Sequence, residues 1–164
     1  MGGKALSGRR ISNEEAFKLA EKIICENDLG GKVDRILLCG SARRGKKTSG
    51  DLDFVFIDSE NNALKAWLVD NYGVKKNGKP QTTILYDGVQ VEFYEATPKT
   101  WGSCTLMWTG PAFSNIQLRK AAKKRGLKLS QHGLFDGKTN IAAGKAEYEI
   151  FEMLGKEFKE PHER

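Results

Sequence analysis

Two aspartates, Asp51 and Asp53, stand two residues apart at the start of an apolar run typical of a β-strand. Alternate side chains of a strand point to opposite faces, so the two carboxylates share one face while Leu52, Phe54 and Phe56 point into a core. Carboxylates on a rigid edge suit Mg²⁺, which prefers a few carboxylates together with substrate phosphates. The spacing therefore predicts a metal site, although two alternating aspartates alone are common by chance.

A glycine-rich, basic loop, GSARRGKKTSG, comes directly before the first aspartate. The backbone amides, the hydroxyl groups and the guanidinium groups of such a loop can bind the oxygens of a triphosphate. The alternative is a solvated hairpin whose acidic residues mark the start of a strand. Because GS, RRG and SG all occur at this spacing from the aspartates, a combined metal and phosphate site is the favoured interpretation.

A third carboxylate, Glu92, lies in the segment VQVEFYEA, whose alternating pattern predicts a strand. Gln90, Glu92 and Tyr94 share one face of that strand, so Glu92 can project toward Asp51 and Asp53 if the strands are neighbours. The alternative is an exposed strand carboxylate without a catalytic role. The strand phase favours the first interpretation.

Further helices and strands are predicted around these residues. Ser12 and Glu15 form a capping box ahead of an amphipathic helix, and Gly73 ends a second helix that begins near NALKAW. A hairpin turns at Asp87 and Gly88, which places its second strand beside the aspartate strand. The remaining predictions are a buried strand at RILLCG and a turn at KKNGKPQ.

The chain of 164 residues has the length of one domain, or of two small lobes that share a core. No apolar run is long enough to cross a bilayer, and the N-terminus lacks the apolar stretch of a signal peptide. We therefore expect an intracellular protein of the cytoplasm, the nucleus or a virion, and not a secreted one. The scattered cysteines Cys25, Cys39 and Cys104 predict neither a disulfide framework nor a zinc site.

The net charge of +6 is unevenly distributed, because residues 96–135 contain no acidic residue. A charged run on a helix is usually a solvated face balanced by acids elsewhere, but no acid follows here at helical spacing. A surface for a polyanion is therefore favoured, and phosphate contacts of this kind give affinity without sequence specificity. The basic residues of the segment are Lys99, Arg119, Lys120, Lys123, Lys124, Arg125 and Lys128.

The loop and its aspartates, GSARRGKKTSGDLD, resemble the nucleotidyltransferase signature of the family X DNA polymerases, the polymerase beta type. The segment WTGPAFSNIQLRKAAKKRGLKLSQHGLF resembles the thumb of that family, and KAEYEIFEMLGKEFKEPHER resembles its closing helix and EPxxR ending. The resemblance implies an α+β fold. A nucleotidyltransferase palm, a mixed β-sheet with helices, would occupy residues 1–105, and a small α/β thumb would occupy residues 106–164. It also implies a short form that lacks the N-terminal lyase domain.

The resemblance assigns roles to individual residues. Asp51, Asp53 and Glu92 match the catalytic carboxylates that bind the metal ions, Mg²⁺ with Mn²⁺ as a substitute. The family normally has an aspartate in place of Glu92, so either the site is built around the longer side chain or the enzyme is slow. The implied nucleotide-binding residues are Gly40, Ser41, Arg44, Gly50, Trp108, Thr109, Gly110 and Asn115. The implied DNA-binding residues are Arg119, Lys120, Lys123, Lys124 and Lys128.

By this resemblance we expect a DNA-directed DNA polymerase of DNA repair. It would fill short gaps by two-metal transfer of a nucleotide from a deoxynucleoside triphosphate (dNTP) to a primer 3′-hydroxyl. Its partners would be gapped or primer-template DNA and dNTP, without a membrane, and the protein would be a monomer. Two alternatives stay open: a template-independent nucleotidyltransferase, and a DNA-binding relic of the fold whose catalysis is weak because of Glu92.

Overall fold

The computed structural model describes residues 8–73 and 81–164, which form helices and strands in two lobes. The strands of that part are β1 (Ile11–Ser12), β2 (Val33–Leu38), β3 (Thr48–Ser49), β4 (Asp51–Asp58), β5 (Gln81–Tyr86), β6 (Val89–Glu95), β7 (Lys128–Ser130), β8 (Gly133–Asp136) and β9 (Thr139–Asn140). The helices of that part are α1 (Asn13–Glu26), α2 (Gly40–Arg43), α3 (Ala63–Tyr72), α4 (Trp101–Thr109), α5 (Ala112–Lys124) and α6 (Glu147–Met153).

The first lobe is built on a mixed sheet with the strand order β2-β4-β6-β5. Strands β4 and β6 are parallel, whereas β2 pairs with β4 and β5 with β6 in antiparallel fashion. The hairpin of β5 and β6 turns at Asp87 and Gly88, as predicted. The predicted RILLCG strand corresponds to β2, which begins two residues earlier. These strands and the helices beside them confirm the predicted α+β fold.

Both faces of this sheet are covered by apolar cores, and successive residues of β4 point alternately into one core and the other. Leu52, Phe54 and Phe56 pack on the side of α1 and α3, and the ring of Phe54 stacks on that of Phe93 with centroids 5.4 Å apart. Helix α1 has the predicted capping box and buries its apolar face here. The second core contains Val55 and Ile57 of β4, Tyr94 of β6 and Cys104 of α4.

The second lobe contains α5, α6 and the small antiparallel sheet β7-β8-β9. Its core includes Leu106, Leu118, Leu134 and Ile150. Helix α4 contributes to both lobes, since Cys104 packs against the central sheet and Leu106 packs in the second lobe. The predicted boundary between residues 105 and 106 therefore falls inside a helix, and the division at that residue stays a prediction.

Three features were not predicted from the sequence: helix α4, the short helix α2 within the predicted glycine-rich loop, and the pairing of β1 with β3, which joins Ile11 to Ser49. The predicted turn at KKNGKPQ lies outside the described residues, apart from Gln81. Within the described residues, no helix combines the length and the apolar character that crossing a membrane requires.

Candidate active site

The pairing of β4 with β6 brings the three predicted carboxylates to one place on the sheet. In the parallel register, Asp53 lies opposite Glu92 and Asp51 lies opposite Gln90. The side chains between them, including Leu52, are buried on the other face, as the alternation predicted. The three carboxylates are close enough for Asp51 and Glu92 to act electrostatically on Asp53.

The loop after β2 lies directly on Asp53. The backbone amide of Cys39 donates a hydrogen bond to the Asp53 carbonyl oxygen at 2.7 Å. The next residue, Gly40, has φ of +63°, and a Cβ atom at this position would overlap the Asp53 carboxylate. Only glycine combines this backbone conformation with so close an approach. Gly40 therefore allows the predicted phosphate-binding loop to begin beside a predicted metal ligand.

Other loop residues lie around the same carboxylates. The Ser41 hydroxyl donates to the buried Ser49 hydroxyl at 2.9 Å, so its present partner is within the loop. Gly50 lies under the guanidinium of Arg10, which donates to Thr48 Oγ1 at 2.9 Å. The charge of Arg10 acts to lower the pKa of Asp51. Arg10 was missed in the sequence, where only its basic character could have indicated a role.

Burial and neighbouring negative charges raise the proton affinity of both aspartates. Burial, followed by the charges of Asp51 and Glu92, raises the pKa of Asp53 from 3.8 to about 7. Burial and the charge of Glu92 raise the pKa of Asp51 as well. Crowded carboxylates of this kind need a proton or a cation to offset their repulsion. The donor set at Asp51 and Asp53 therefore fits a hard divalent cation.

Glu92 is held by hydrogen bonds rather than aimed freely at the aspartates. Gln90 Nε2 donates to Glu92 Oε1 at 2.7 Å, and Gln81 Nε2 donates to Glu92 Oε2 at 3.3 Å. The Tyr94 hydroxyl also donates to Glu92 Oε2. Across the described parts of the chain, no three His, Cys, Asp or Glu side chains are gathered in an arrangement that could hold a metal ion. The assignment of Glu92 as a ligand stays a prediction.

Tyr94 connects the carboxylates to helix α4, which is shared by the two lobes. Its hydroxyl lies 3.4 Å from Asp53 Oδ1, and its ring stacks on Trp108 with centroids 3.5 Å apart and planes at 15°. Burial and the hydrogen bond to Glu92 raise the pKa of the Tyr94 phenol, so it remains a neutral donor. The alternation of β6 placed Tyr94 on the Glu92 face, but its contacts were not predicted.

The two arginines of the loop bind the end of α4. Arg44 donates to the carbonyl oxygen of Thr109, while its Nε atom is buried and has no hydrogen-bond partner in the described structure. Burial lowers the pKa of Arg44, whereas the charges of Asp53 and Asp51 act to raise it. An unpartnered buried donor beside this loop is suited to an anionic group.

Arg43 has a structural partner instead. Its Nη1 atom donates to Thr109 Oγ1 and to Glu147 Oε1, both at 2.6 Å. Glu147 also accepts a hydrogen bond at 2.8 Å from Arg164, whose side chain is fully buried. No local sequence pattern could have indicated this group, because its members come from three distant segments.

The predicted nucleotide and DNA residues of the second lobe lie along α4 and α5. Asn115 Nδ2 donates to the Met107 carbonyl oxygen at 2.8 Å, and Asn115 Oδ1 is buried without a hydrogen-bond partner in the described structure. Gly110 follows Thr109 and lies against the Arg44 guanidinium. Arg119 is exposed, one helical turn after Asn115, and its guanidinium lies 3.7 Å from the Met107 sulfur.

The remaining predicted DNA contacts form an exposed basic surface. Lys120, Lys123 and Lys124 are exposed on α5, and Lys128 is exposed at the start of β7. None of these lysines forms an ion pair with a described residue, so their charges are available to a polyanion. These exposed lysines are therefore consistent with the predicted surface for a polyanion.

Comparison with known proteins supports the resemblance noted in the motifs. The family model described as the DNA polymerase beta thumb matches residues 104–164. The repair DNA polymerase X of African swine fever virus is 27% identical, with 97% of each chain covered. DNA polymerase lambda of Rattus norvegicus is 24% identical over 94% of this chain and 33% of that protein.

A solved structure shows the same fold. Polymerase beta of Leishmania infantum, crystallised as a ternary P/T complex, superposes with a TM-score of 0.78 at 20% identity, covering 97% of this chain and 78% of that one. The thumb match, the full-length similarity to a viral polymerase and this shared fold all indicate one family. In sequence and in fold, the chain is similar to the family X DNA polymerases.

Proposed function

We propose that this protein is a DNA-directed DNA polymerase that fills short gaps, transferring a nucleotide from dNTP to a primer 3′-hydroxyl. The observation that supports this most strongly is the register of β4 and β6, which sets Asp53 opposite Glu92 next to the glycine-rich loop. The names of its relatives, repair DNA polymerase X and DNA polymerase lambda, support the same activity.

The loop supplies the groups that would bind the triphosphate. Arg44 has a buried, unpartnered donor and a positive charge next to the aspartates. Ser41 and the backbone amides of Gly40 and Gly50 complete the proposed contacts. Guanidinium and amide donors of this kind stabilise the charge that develops on transferred and leaving phosphoryl oxygens.

Asp51, Asp53 and Glu92 would hold the divalent ions, for which we propose Mg²⁺ with Mn²⁺ as a substitute. When bound, such ions lower the pKa of the attacking hydroxyl and neutralise the charge of the leaving pyrophosphate. The raised pKa of Asp53 is consistent with this role, because a site that concentrates negative charge gains most from a cation.

The second lobe would bind the nucleotide and the template. The proposed nucleotide-binding residues lie at the end of α4 and the start of α5: Trp108, Thr109, Gly110 and Asn115. Arg44 lies beside them, because it donates a hydrogen bond to the Thr109 carbonyl oxygen. The exposed side chains of α5 and β7 would contact DNA phosphates. They are Arg119, Lys120, Lys123, Lys124 and Lys128.

The test is primer extension on a duplex with a one-nucleotide gap, with Mg²⁺ or Mn²⁺ and each dNTP offered separately. We expect incorporation of the complementary nucleotide only. Asp53→Asn should lower the rate by at least about 100-fold, since displacing one catalytic group can have an effect of that size, while the affinity for DNA stays unchanged.

Glu95→Gln is the matched control, because Glu95 is a carboxylate of the same strand as Glu92 and pairs with Lys65 at 2.7 Å instead. It should retain full activity. Normal incorporation by Asp53→Asn would refute the assignment of Asp53 to the active site. Extension of an unpaired single strand would identify a template-independent transferase, and DNA binding without any incorporation would identify a catalytically weak relic.

A further inference from the structure

Tyr94 is placed where a single side chain contacts two of the proposed metal ligands and an aromatic residue of helix α4. Its hydroxyl lies within hydrogen-bonding distance of Glu92 and of Asp53, with the Glu92 contact much the shorter. Its ring lies flat on Trp108, the last tryptophan before the turn into α5. None of the activities proposed above uses this residue.

A phenol has one proton to donate, so Tyr94 can donate to only one of the two carboxylates at a time. The distances favour Glu92 Oε2 as the acceptor of that proton, since the contact with Asp53 Oδ1, at 3.4 Å, is the longer of the two. Gln90 donates to the other Glu92 oxygen. Both oxygens of Glu92 are therefore occupied by protein donors.

In this arrangement protein donors hold the third carboxylate away from the aspartates. The strand register sets Glu92 opposite Asp53, yet the described residues contain no three acidic or metal-binding side chains gathered for an ion. The Tyr94 bond accounts for this, because the longer side chain of glutamate can reach the phenol two residues along its own strand face. A cation would have to compete with the phenol for Glu92.

Trp108 is the neighbour that would register such a change. Its ring is stacked on Tyr94, so movement of the phenol changes the surroundings of the indole directly. The next residue, Thr109, accepts hydrogen bonds from both Arg43 and Arg44. The stack therefore lies between the carboxylates and the segment that connects the two lobes.

We propose that Tyr94 is a positioning residue that holds Glu92 out of the metal site. Binding of a divalent cation then breaks the hydrogen bond from Tyr94 to Glu92, and the movement of the phenol displaces Trp108. This inference rests on the proposed metal site, but not on DNA synthesis. Metal occupancy is thereby coupled to the junction of the lobes before any nucleotide binds.

The experiment uses the full chain labelled with 5-fluorotryptophan, with Mg²⁺ alone and neither DNA nor nucleotide. In ¹⁹F NMR, Trp108, assigned with Trp108→Phe, should shift as Mg²⁺ is added. Trp67 packs on Tyr72 in the other core and serves as the internal reference. Tyr94→Phe, which keeps the ring but removes the hydroxyl, should abolish the Trp108 shift.

A second readout is the affinity for Mn²⁺, counted from free Mn²⁺ by electron paramagnetic resonance. Tyr94→Phe should bind Mn²⁺ about tenfold more tightly, because the hydrogen bond from the phenol to the Glu92 carboxylate no longer has to be broken. Tyr86→Phe is the control, since it removes a phenol that contacts Glu26 at 3.5 Å, and it should change neither readout.

An unchanged or weaker Mn²⁺ affinity in Tyr94→Phe would overturn the proposal, as would a Trp108 shift equal to that of the natural protein. The result is independent of primer extension. Loss of incorporation with these metal responses intact would refute the polymerase proposal alone, and normal incorporation without them would refute the role of Tyr94 alone.

Discussion

At the scale of single residues, the site is defined by an aspartate that is costly to ionise. Asp53 is half-buried beside the Gly40 loop and lies near two other carboxylates. Burial and like charges both disfavour the charged form, which is why its pKa rises from 3.8 to about 7. Without a bound cation, the folded protein should therefore keep a proton on the Asp53 carboxyl between about pH 4 and pH 7, where the unfolded chain has released it.

This difference predicts how stability changes with pH. Between about pH 4 and pH 7 the folded state binds a proton on Asp53 that the unfolded state has lost. The stabilising contribution of this protonated carboxyl to the free energy of unfolding is therefore fully present below pH 4 and is lost as the pH rises through 7. Relative to Asp53→Asn, which cannot ionise, the free energy of unfolding of the natural protein should fall by about 2 kcal/mol from pH 5 to pH 7.5.

Urea unfolding in EDTA at each pH measures this difference. The comparison with Asp53→Asn removes the titration of groups common to both proteins, such as the surface carboxylates. A difference in unfolding free energy that stays constant across this interval would show that Asp53 ionises normally, and the electrostatic description of the site would then be wrong.

At the scale of elements, the connection from β2 to α2 depends on Gly40. Alanine at this position would require both a left-handed backbone and a displaced Asp53 carboxylate. Gly45 has a similar φ of +68°, but a Cβ there would meet no atom within 4 Å. Alanine substitutions at the two positions therefore distinguish the cost of backbone strain, which both share, from that of steric overlap, which only Gly40 has.

We predict that Gly45→Ala costs about 1 kcal/mol of stability from strain alone, whereas Gly40→Ala costs at least about 2 kcal/mol more. Gly40→Ala should also lower incorporation about 100-fold, because Asp53 must move. Chemical denaturation and primer extension measure both effects. Equal losses in the two variants would mean that the Gly40 loop does not fix the position of Asp53.

The elements around the site were largely predictable because each depends on local pattern. The capping box of Ser12 and Glu15, the alternation through β4 and the Asp87-Gly88 turn all act within a few residues. Helix α4 was missed because it is buried on nearly all sides, with seven of its nine residues buried, and therefore has no separate polar and apolar faces. Such a segment has no helical periodicity to detect.

The carboxylates themselves were predicted, but their partners were not. Strand phase predicted that Asp51, Asp53 and Glu92 share one face, and the register of β4 and β6 brings them together there. Their role as metal ligands stays a prediction. The bond from Tyr94 to Glu92 depends on rotamers, which no spacing specifies. The stack of Tyr94 on Trp108 depends on how two lobes pack, which is information held by the whole fold.

At the scale of the whole molecule, a buried ionic group joins the lobes. Glu147 of α6 binds Arg43 of the loop and Arg164 at the C-terminus, and its side chain is only 11% exposed. Arg164 also lies over the rings of Phe151 and Phe158. Segments from both lobes are thus fixed around one carboxylate.

We predict that Glu147→Gln destabilises the protein by about 3 kcal/mol, because it leaves two buried or half-buried guanidinium groups without their counter-charge. Glu14→Gln, which breaks an exposed pair with Lys18, should cost less than about 1 kcal/mol. Urea unfolding of both variants measures the contrast. A loss no larger at Glu147 than at Glu14 would show that the group contributes little to joining the lobes.

The distribution of charge over the whole molecule predicts how it binds DNA. The net charge is +6, and the unpaired lysines of α5 concentrate positive charge on one surface. Each phosphate that a lysine neutralises releases counterions, so the logarithm of the affinity falls with the logarithm of the salt concentration by about 0.9 per contact. Salt dependence therefore counts contacts, whereas net charge alone does not.

Two variants with the same net charge separate these effects. Lys124→Gln and Lys18→Gln each lower the net charge from +6 to +5, but Lys124 is an unpaired lysine of α5 and Lys18 is paired with Glu14 on α1. Fluorescence anisotropy with gapped duplex across a range of salt concentrations should show the slope reduced by about 1 in Lys124→Gln and unchanged in Lys18→Gln. Equal slopes in both variants would mean that DNA responds to the overall charge, and that α5 is not the surface that contacts it.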